Sequence, residues 1–247
     1  MKSDLSSHRL AYNAAVNTVT RSGEYVVNDE KGARTKGKKN IRLAQSYLWS
    51  ETQLTGNSSY VMNVLDNKYN VGSSNLYPME KRLKQQDVFF TYALGFFILP
   101  ISPGGGSFQF QLMTFPSAQF FGSGGSNLPS LLGLWTAGSL NVTVNGETLT
   151  PAWDLGQHLS IPQTQVPANP IAGSIFYDQL DLSQDGLAVV EPNWIVNGGN
   201  DNQYIINYPS NYSSIGLGTL NYHIVLKWYG FLAQNASSIM DNSTMKM

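Results

Sequence analysis

The chain has 247 residues, enough for one large domain or two compact ones, with 15 basic against 16 acidic side chains and no cysteine. The lack of cysteine excludes a disulfide framework, a thiol nucleophile and any Cys-based zinc or iron–sulfur site. Charged residues are only 13% of the chain, about half the usual share, while 26 Ser, 22 Asn, 23 Gly and 13 Tyr predict a surface covered by uncharged polar groups.

From the N-terminus, MKSDLSSHRLAYN offers no apolar core for a Sec-type signal, so secretion by that route is not expected. Residues 1–42 carry nine basic and four acidic groups, net +5, which leaves net −6 for the remainder. They read as a basic N-terminal arm: a solvated segment, or one that faces a genome or an anionic membrane. Helical periodicity is confined to Ala11–Val19, Ile41–Ser50 and Pro129–Ala137.

Strand signals fill the rest. In chain order they are a weak Glu24–Val27, then Ser46–Trp49, Tyr60–Leu65, Val88–Leu94, Phe96–Ile101 and Phe108–Thr114, followed by the two arms of a hairpin over Ser139–Thr150. Asn145-Gly146 at the centre of that hairpin is the dipeptide a type I′ turn demands. His158–Ile161, Ser174–Tyr177, Leu187–Glu191, Trp194–Val196, Tyr204–Tyr208 and Asn221–Phe231 complete the set. Val88–Ile101 reads as a buried strand pair, because it is shorter than the roughly 18 residues of a spanning helix.

About 14 short strands with long polar loops and no fixed period predict an all-β antiparallel jelly-roll sandwich. The count favours a double jelly roll, with a basic arm over 1–42, a first roll over 43–125 and a second over 126–247. The alternative is one large single roll from Asp87 to Phe231 with an N-terminal elaboration.

Residues that could carry chemistry are sparse. Gly32 to Lys39 nearly spells a phosphate-binding loop, but Lys39 stands where a Mg²⁺-binding hydroxyl belongs, so it reads as a basic loop. Gly104–Gly106 and Gly122–Gly125 read as loop tips. His8, His158 and His223 form no metal-binding pair, and Asp154 with His158 would share a face only in a helix. Asp178, Asp181 and Asp185 miss the spacing of a calcium loop. Five sequons (Asn57, Asn141, Asn211, Asn235, Asn242) are unsurprising in an Asn- and Ser-rich chain, and five tryptophans (Trp49, Trp135, Trp153, Trp194, Trp228) read as core rather than as a sugar platform. No catalytic, cofactor-binding or metal site is expected, and the chain reads as a non-enzyme. Between Lys84 and Lys227 lie 142 residues without a cation, so any contact with a polyanion falls to the arm, above all to Lys36, Lys38, Lys39 and Arg42.

Several segments resemble the jelly-roll major capsid proteins of tailless icosahedral bacteriophages that contain a membrane, of the compact double-roll type. They are Glu80-Lys81-Arg82-Leu83-Lys84-Gln85-Gln86-Asp87-Val88-Phe89 running into Gly95-Phe96-Phe97-Ile98, then Ile161-Pro162-Gln163-Thr164-Gln165. Glu191-Pro192-Asn193-Trp194 with Gly198-Gly199-Asn200 follows, and Ile224-Val225-Leu226-Lys227-Trp228-Tyr229-Gly230 closes the series. The similarity spans roughly residues 75–232 and lies in texture and order. It implies a virion protein that trimerises into capsomers, contacts penton or spike proteins, and meets the internal membrane or genome through its N-terminal arm. A spike or lectin-like jelly roll that binds carbohydrate or a receptor is the alternative, and an enzyme on a β-sandwich the third.

Overall fold

A computed structural model of the chain describes residues 5–21, 41–65, 80–101, 112–116, 128–144, 146–160, 186–209 and 221–237. These contain eight strands: β1 Arg42–Gln53, β2 Ser59–Met62, β3 Val88–Ile101, β4 Ser139–Val144, β5 Glu147–Asp154, β6 Leu187–Asn197, β7 Asn202–Asn207 and β8 Asn221–Gln234. Two helices accompany them, α1 Leu5–Arg21 before β1 and α2 Leu128–Thr136 before β4.

The strands form two antiparallel sheets, ordered β1-β8-β3-β6 and β2-β7-β4-β5. The pairing is nested: β1 with β8, β2 with β7, β3 with β6, and β4 with β5. Bonds between β3 and β8 and between β4 and β7 close each sheet. Alternation decides what each face buries. Along β4 every second residue (Leu140, Val142, Val144) points inward, and along β8 Tyr222, Ile224, Leu226 and Trp228 do the same. Phe96 and Ile98 of β3 meet them in one continuous core, which Trp135 of α2 joins with its ring 6.0 Å from that of Phe96.

A smaller apolar layer lies on the outer face of the first sheet. There Ala15 and Val19 of α1 pack on Val88, Phe90, Phe231 and Ala233, while His8 and Tyr12 set their rings edge-on to Phe231. No described helix is long and apolar enough to cross a membrane.

Several expectations are corrected. Both sheets draw strands from both 43–125 and 126–247, and β1 pairs along its whole length with β8; the described strands therefore form one sandwich rather than two rolls divided near residue 125. Ile41–Ser50 is not helical, because β1 finds its hydrogen bonds in β8. Val88–Ile101 is one 14-residue strand, not two, with an irregularity between Thr91 and Ala93 in place of a turn. Leu187–Glu191 and Trp194–Val196 likewise fuse into β6. His158 ends a short 3-10 helix, Leu155–His158, capped by the Asp154 carboxylate, which accepts from the Gly156 N–H at 2.8 Å. The expected strands at 24–27 and 174–177, and most of that at 108–114, lie outside the described residues.

Candidate functional site: one end and the outer face of the first sheet

Two of the segments that suggested a resemblance, 80–89 and 198–200, converge with residues 235–237 at one end of the sandwich. Gly198 N–H donates to the Asp87 carbonyl at 2.9 Å, Ser237 N–H to the Gln86 carbonyl at 3.0 Å, and Asn235 N–H to the buried Asp87 carboxylate at 2.9 Å. Asn197 completes the clasp by accepting from the Ser237 hydroxyl at 2.6 Å and the Gly199 N–H at 3.0 Å. A Cβ at Gly198 would fall on the Lys84 carbonyl, so only glycine allows these two loops to touch. Ile41 is buried in the α1 layer at the same end, and Arg42 next to it is exposed. Lys36, Lys38 and Lys39 of the expected basic contact lie outside the described residues, as do the 32–39, 104–106 and 122–125 segments, Asp178, Asp181, Asp185 and the Asn211 and Asn242 sequons.

Away from α1, the outer face of this sheet carries an aromatic and cationic cluster. Trp49 pairs across the sheet with Lys227, and Tyr47 with Tyr229. Period-two alternation sends all four to the same face. The Lys227 ammonium sits 4.7, 5.1 and 5.6 Å from the ring centroids of Tyr229, Tyr47 and Trp49. Lys81, which bridges by backbone to Trp49, places its own ammonium 4.5 Å from the Tyr47 ring and donates to the Ser46 hydroxyl at 2.9 Å. Burial pulls the Lys227 amine below its usual range, offset in part by Tyr47, and burial pushes the Tyr229 phenol up to about 12. Cation–π attraction offsets part of the lost hydration. The sequence reading passed over this cluster, although its signal was there: aromatic residues two apart in β1 (Tyr47, Trp49), matched by Lys227 and Tyr229 in β8, with Lys227 the first cation after a long gap.

Farther along the same face, His223 Nδ1 donates to Glu51 Oε1 at 2.7 Å, and Trp49 Nε1 donates to Glu51 Oε2 at 3.0 Å. Glu80 adjoins this network, accepting from the Glu51 N–H at 3.1 Å and pairing with Arg82 at 2.8 Å.

His158 belongs to the interior. Its Nδ1 donates to the Gly186 carbonyl at 2.9 Å and its Nε2 accepts from Trp153 Nε1 at 3.0 Å, so the ring is neutral with both nitrogens satisfied. Burial lowers its pKa to about 4. Asp154 faces the 3-10 turn, so the two do not act as a pair. Of the tryptophans, Trp49, Trp135, Trp194 and Trp228 are buried, and the half-buried Trp153 turns its ring against Trp194 at 5.1 Å. None offers an open stacking face. Among the described residues no group of His, Asp and Glu is placed to hold a metal ion.

The chain matches no family model, no curated protein and no solved structure.

Proposed function

We propose that this chain is a structural virion protein: a single eight-stranded jelly roll that acts as a major capsid protein, forms trimeric capsomers and builds an icosahedral shell without catalysing a reaction. The nested pairing of β1 with β8, β2 with β7, β3 with β6 and β4 with β5 carries this reading. Two Greek keys folded together give that order, and it recurs in viral shell domains and in lectins. Since fold alone does not decide between those roles, the surface must. A sugar platform needs an exposed aromatic plane, and no tryptophan supplies one: Trp135, Trp194 and Trp228 are buried in the core, Trp49 is buried on the outer face under Lys227, and the half-buried Trp153 packs against Trp194. A shell subunit needs broad contacts between copies that do not repel, which suits a chain with 13% charged residues.

In this reading the end of the sandwich that carries α1, Ile41 and Arg42 faces the particle interior. The arm's excess of positive charge then meets an anionic membrane or genome. Other capsid proteins, such as pentons or spikes, are its further partners.

The test is light scattering on the size-exclusion eluate of the purified full chain, with electron microscopy of concentrated samples. Trimers and closed or sheet-like assemblies are expected. A monomer at all concentrations, or a discrete species that binds glycan on an array, would overturn the reading.

A further inference from the structure

We infer that copies of this chain join side to side, the β1/β2 side of one sandwich docking on the β5/β6 side of the next copy. This rests on the shell reading and names the surfaces that would meet. Strand β1 packs over β2 at one long side of the sandwich, and the 3-10 turn after β5 packs against β6 at the other.

Each side exposes two large apolar side chains. Tyr47 on β1 (38% exposed) and Val61 on β2 (54%) mark one side; Leu149 on β5 (42%) and Val189 on β6 (52%) mark the other. Among the described residues only Leu10 and Tyr12 of α1 are exposed in the same way, so every such residue in the sandwich proper lies on an edge. Tyr47 and Val189 also share one level: the register runs Tyr47–Tyr229–Ala93–Val189 straight across the first sheet. A neighbour displaced sideways by one sandwich width brings its Val189 level with Tyr47.

Charge then selects which sides meet. The β1/β2 side presents Lys81; next to it, on β8, lies the half-buried Lys227, whose ammonium touches aromatic rings and has no carboxylate partner among the described residues. The β5/β6 side presents exposed Glu147 and Glu191, and residues 85–226 hold no cation to answer them. Like sides repel and unlike sides attract, which makes the contact heterologous. A heterologous contact closes into a ring when its rotation permits. Extension of the first sheet across the joint is disfavoured, because Lys81 already bridges Trp49 on the β1 edge and Pro192 removes a donor from β6. Side chains therefore make the joint.

The native chain has no cysteine, so introduced ones report directly. In the full chain, Tyr47→Cys with Val189→Cys should oxidise to a covalent trimer on a denaturing gel, while either variant alone stays monomeric on that gel. Separately, Lys81→Glu or Glu191→Lys should weaken association at least tenfold, and the two together should restore it. Both residues are exposed, so a thermal midpoint near wild type checks the fold. Disulfide dimers from Tyr47→Cys alone, or charge variants that assemble like wild type, would overturn the joint. If trimers persist while the cysteine pair stays unlinked, the joint is wrong and the shell reading stands; a wild-type chain that stays monomeric overturns both.

Discussion

His223 and Glu51 are 172 residues apart in sequence, yet Nδ1 and Oε1 lie 2.7 Å apart on the buried outer face of the first sheet. The β1–β8 register sets Gln53 opposite His223, so Glu51 is its diagonal neighbour on the same face. The carboxylate accepts from His223 and Trp49 at once. Because hydrogen bonds to a charged group contribute about 1.5–3 kcal/mol, His223→Ala is expected to lower unfolding stability by about 2 kcal/mol. A double-mutant cycle with Glu51→Ala, read by urea denaturation, should return a coupling of at least 1 kcal/mol. Strict additivity would show that the pair contributes nothing.

His158 predicts an acid-labile core. Its folded pKa is lowered to about 4 from the ordinary 6.5, so between those values the unfolded chain binds a proton that the folded chain refuses. Stability is therefore full above about pH 7, falls as the pH drops through 6.5, and levels off near pH 4. The total loss is about 3 kcal/mol at 1.36 kcal/mol per unit. His158→Gln keeps a donor and an acceptor but does not titrate. Urea midpoints at pH 7 and pH 4.5 should converge in that variant relative to wild type; an equal acid loss in both would assign the effect elsewhere.

Two glycines separate backbone conformation from close approach. A Cβ at Gly230 would strike the Phe90 carbonyl, part of the neighbouring strand at the β3 irregularity. Gly146 sits at the hairpin turn with φ +80° and open space around it. Gly146→Ala is expected to cost about 1 kcal/mol through the dihedral alone, whereas Gly230→Ala must move a strand and should cost more than about 3 kcal/mol. Thermal melts that rank them the other way would refute the assigned causes.

The cations Lys36, Lys38, Lys39 and Arg42 should act in assembly and not in folding. Replacing Lys36, Lys38, Lys39 and Arg42 with Ser is expected to leave the melting temperature within a degree or two, since Arg42 is exposed and its strand pairs through the backbone. Each cation near an anionic surface contributes about 1 kcal/mol, screened beyond about 8–10 Å, so particle yield should fall and salt should release contents sooner. Wild-type yield and release at both low and high salt would leave these four cations without a role in assembly.

Local chemistry was readable in the sequence and long-range pairing was not. Asn145-Gly146 announced the β4–β5 hairpin, and Gly146 has the positive φ that the dipeptide implied. Pro129–Ala137 and Ala11–Val19 foreshadowed α2 and α1 through their 3.6-residue period. Gly95 looked like a break between two strands, but the chain runs straight through it, because the Phe97 ring and Leu187 occupy the space a side chain would need. Ile41–Ser50 carried apolar residues at helical spacing with a strand signal only over Ser46–Trp49, and pairing with the distant β8 makes the whole stretch a strand. Counting strands could not reveal that β1 answers β8, so a chain with enough strands for two rolls was divided between them. The Lys227 cluster stayed hidden for the same reason: its members come from three separated segments.

The nested order also dictates when this protein can exist at all. As the ribosome delivers the chain, β4 and β5 can pair at once, then β6 with β3 and β7 with β2, while β1 waits for β8, the last of the eight described strands in chain order. Until then the middle of the first sheet is missing, since β8 lies between β1 and β3 and bonds to both. Pairing over such sequence distances is slow, and apolar edges left open meanwhile invite aggregation. A nascent or truncated subunit that lacks the last strand therefore has no finished β1 edge to offer a neighbour. In the shell reading, the topology would act as an inspection step, admitting to assembly only chains translated through β8.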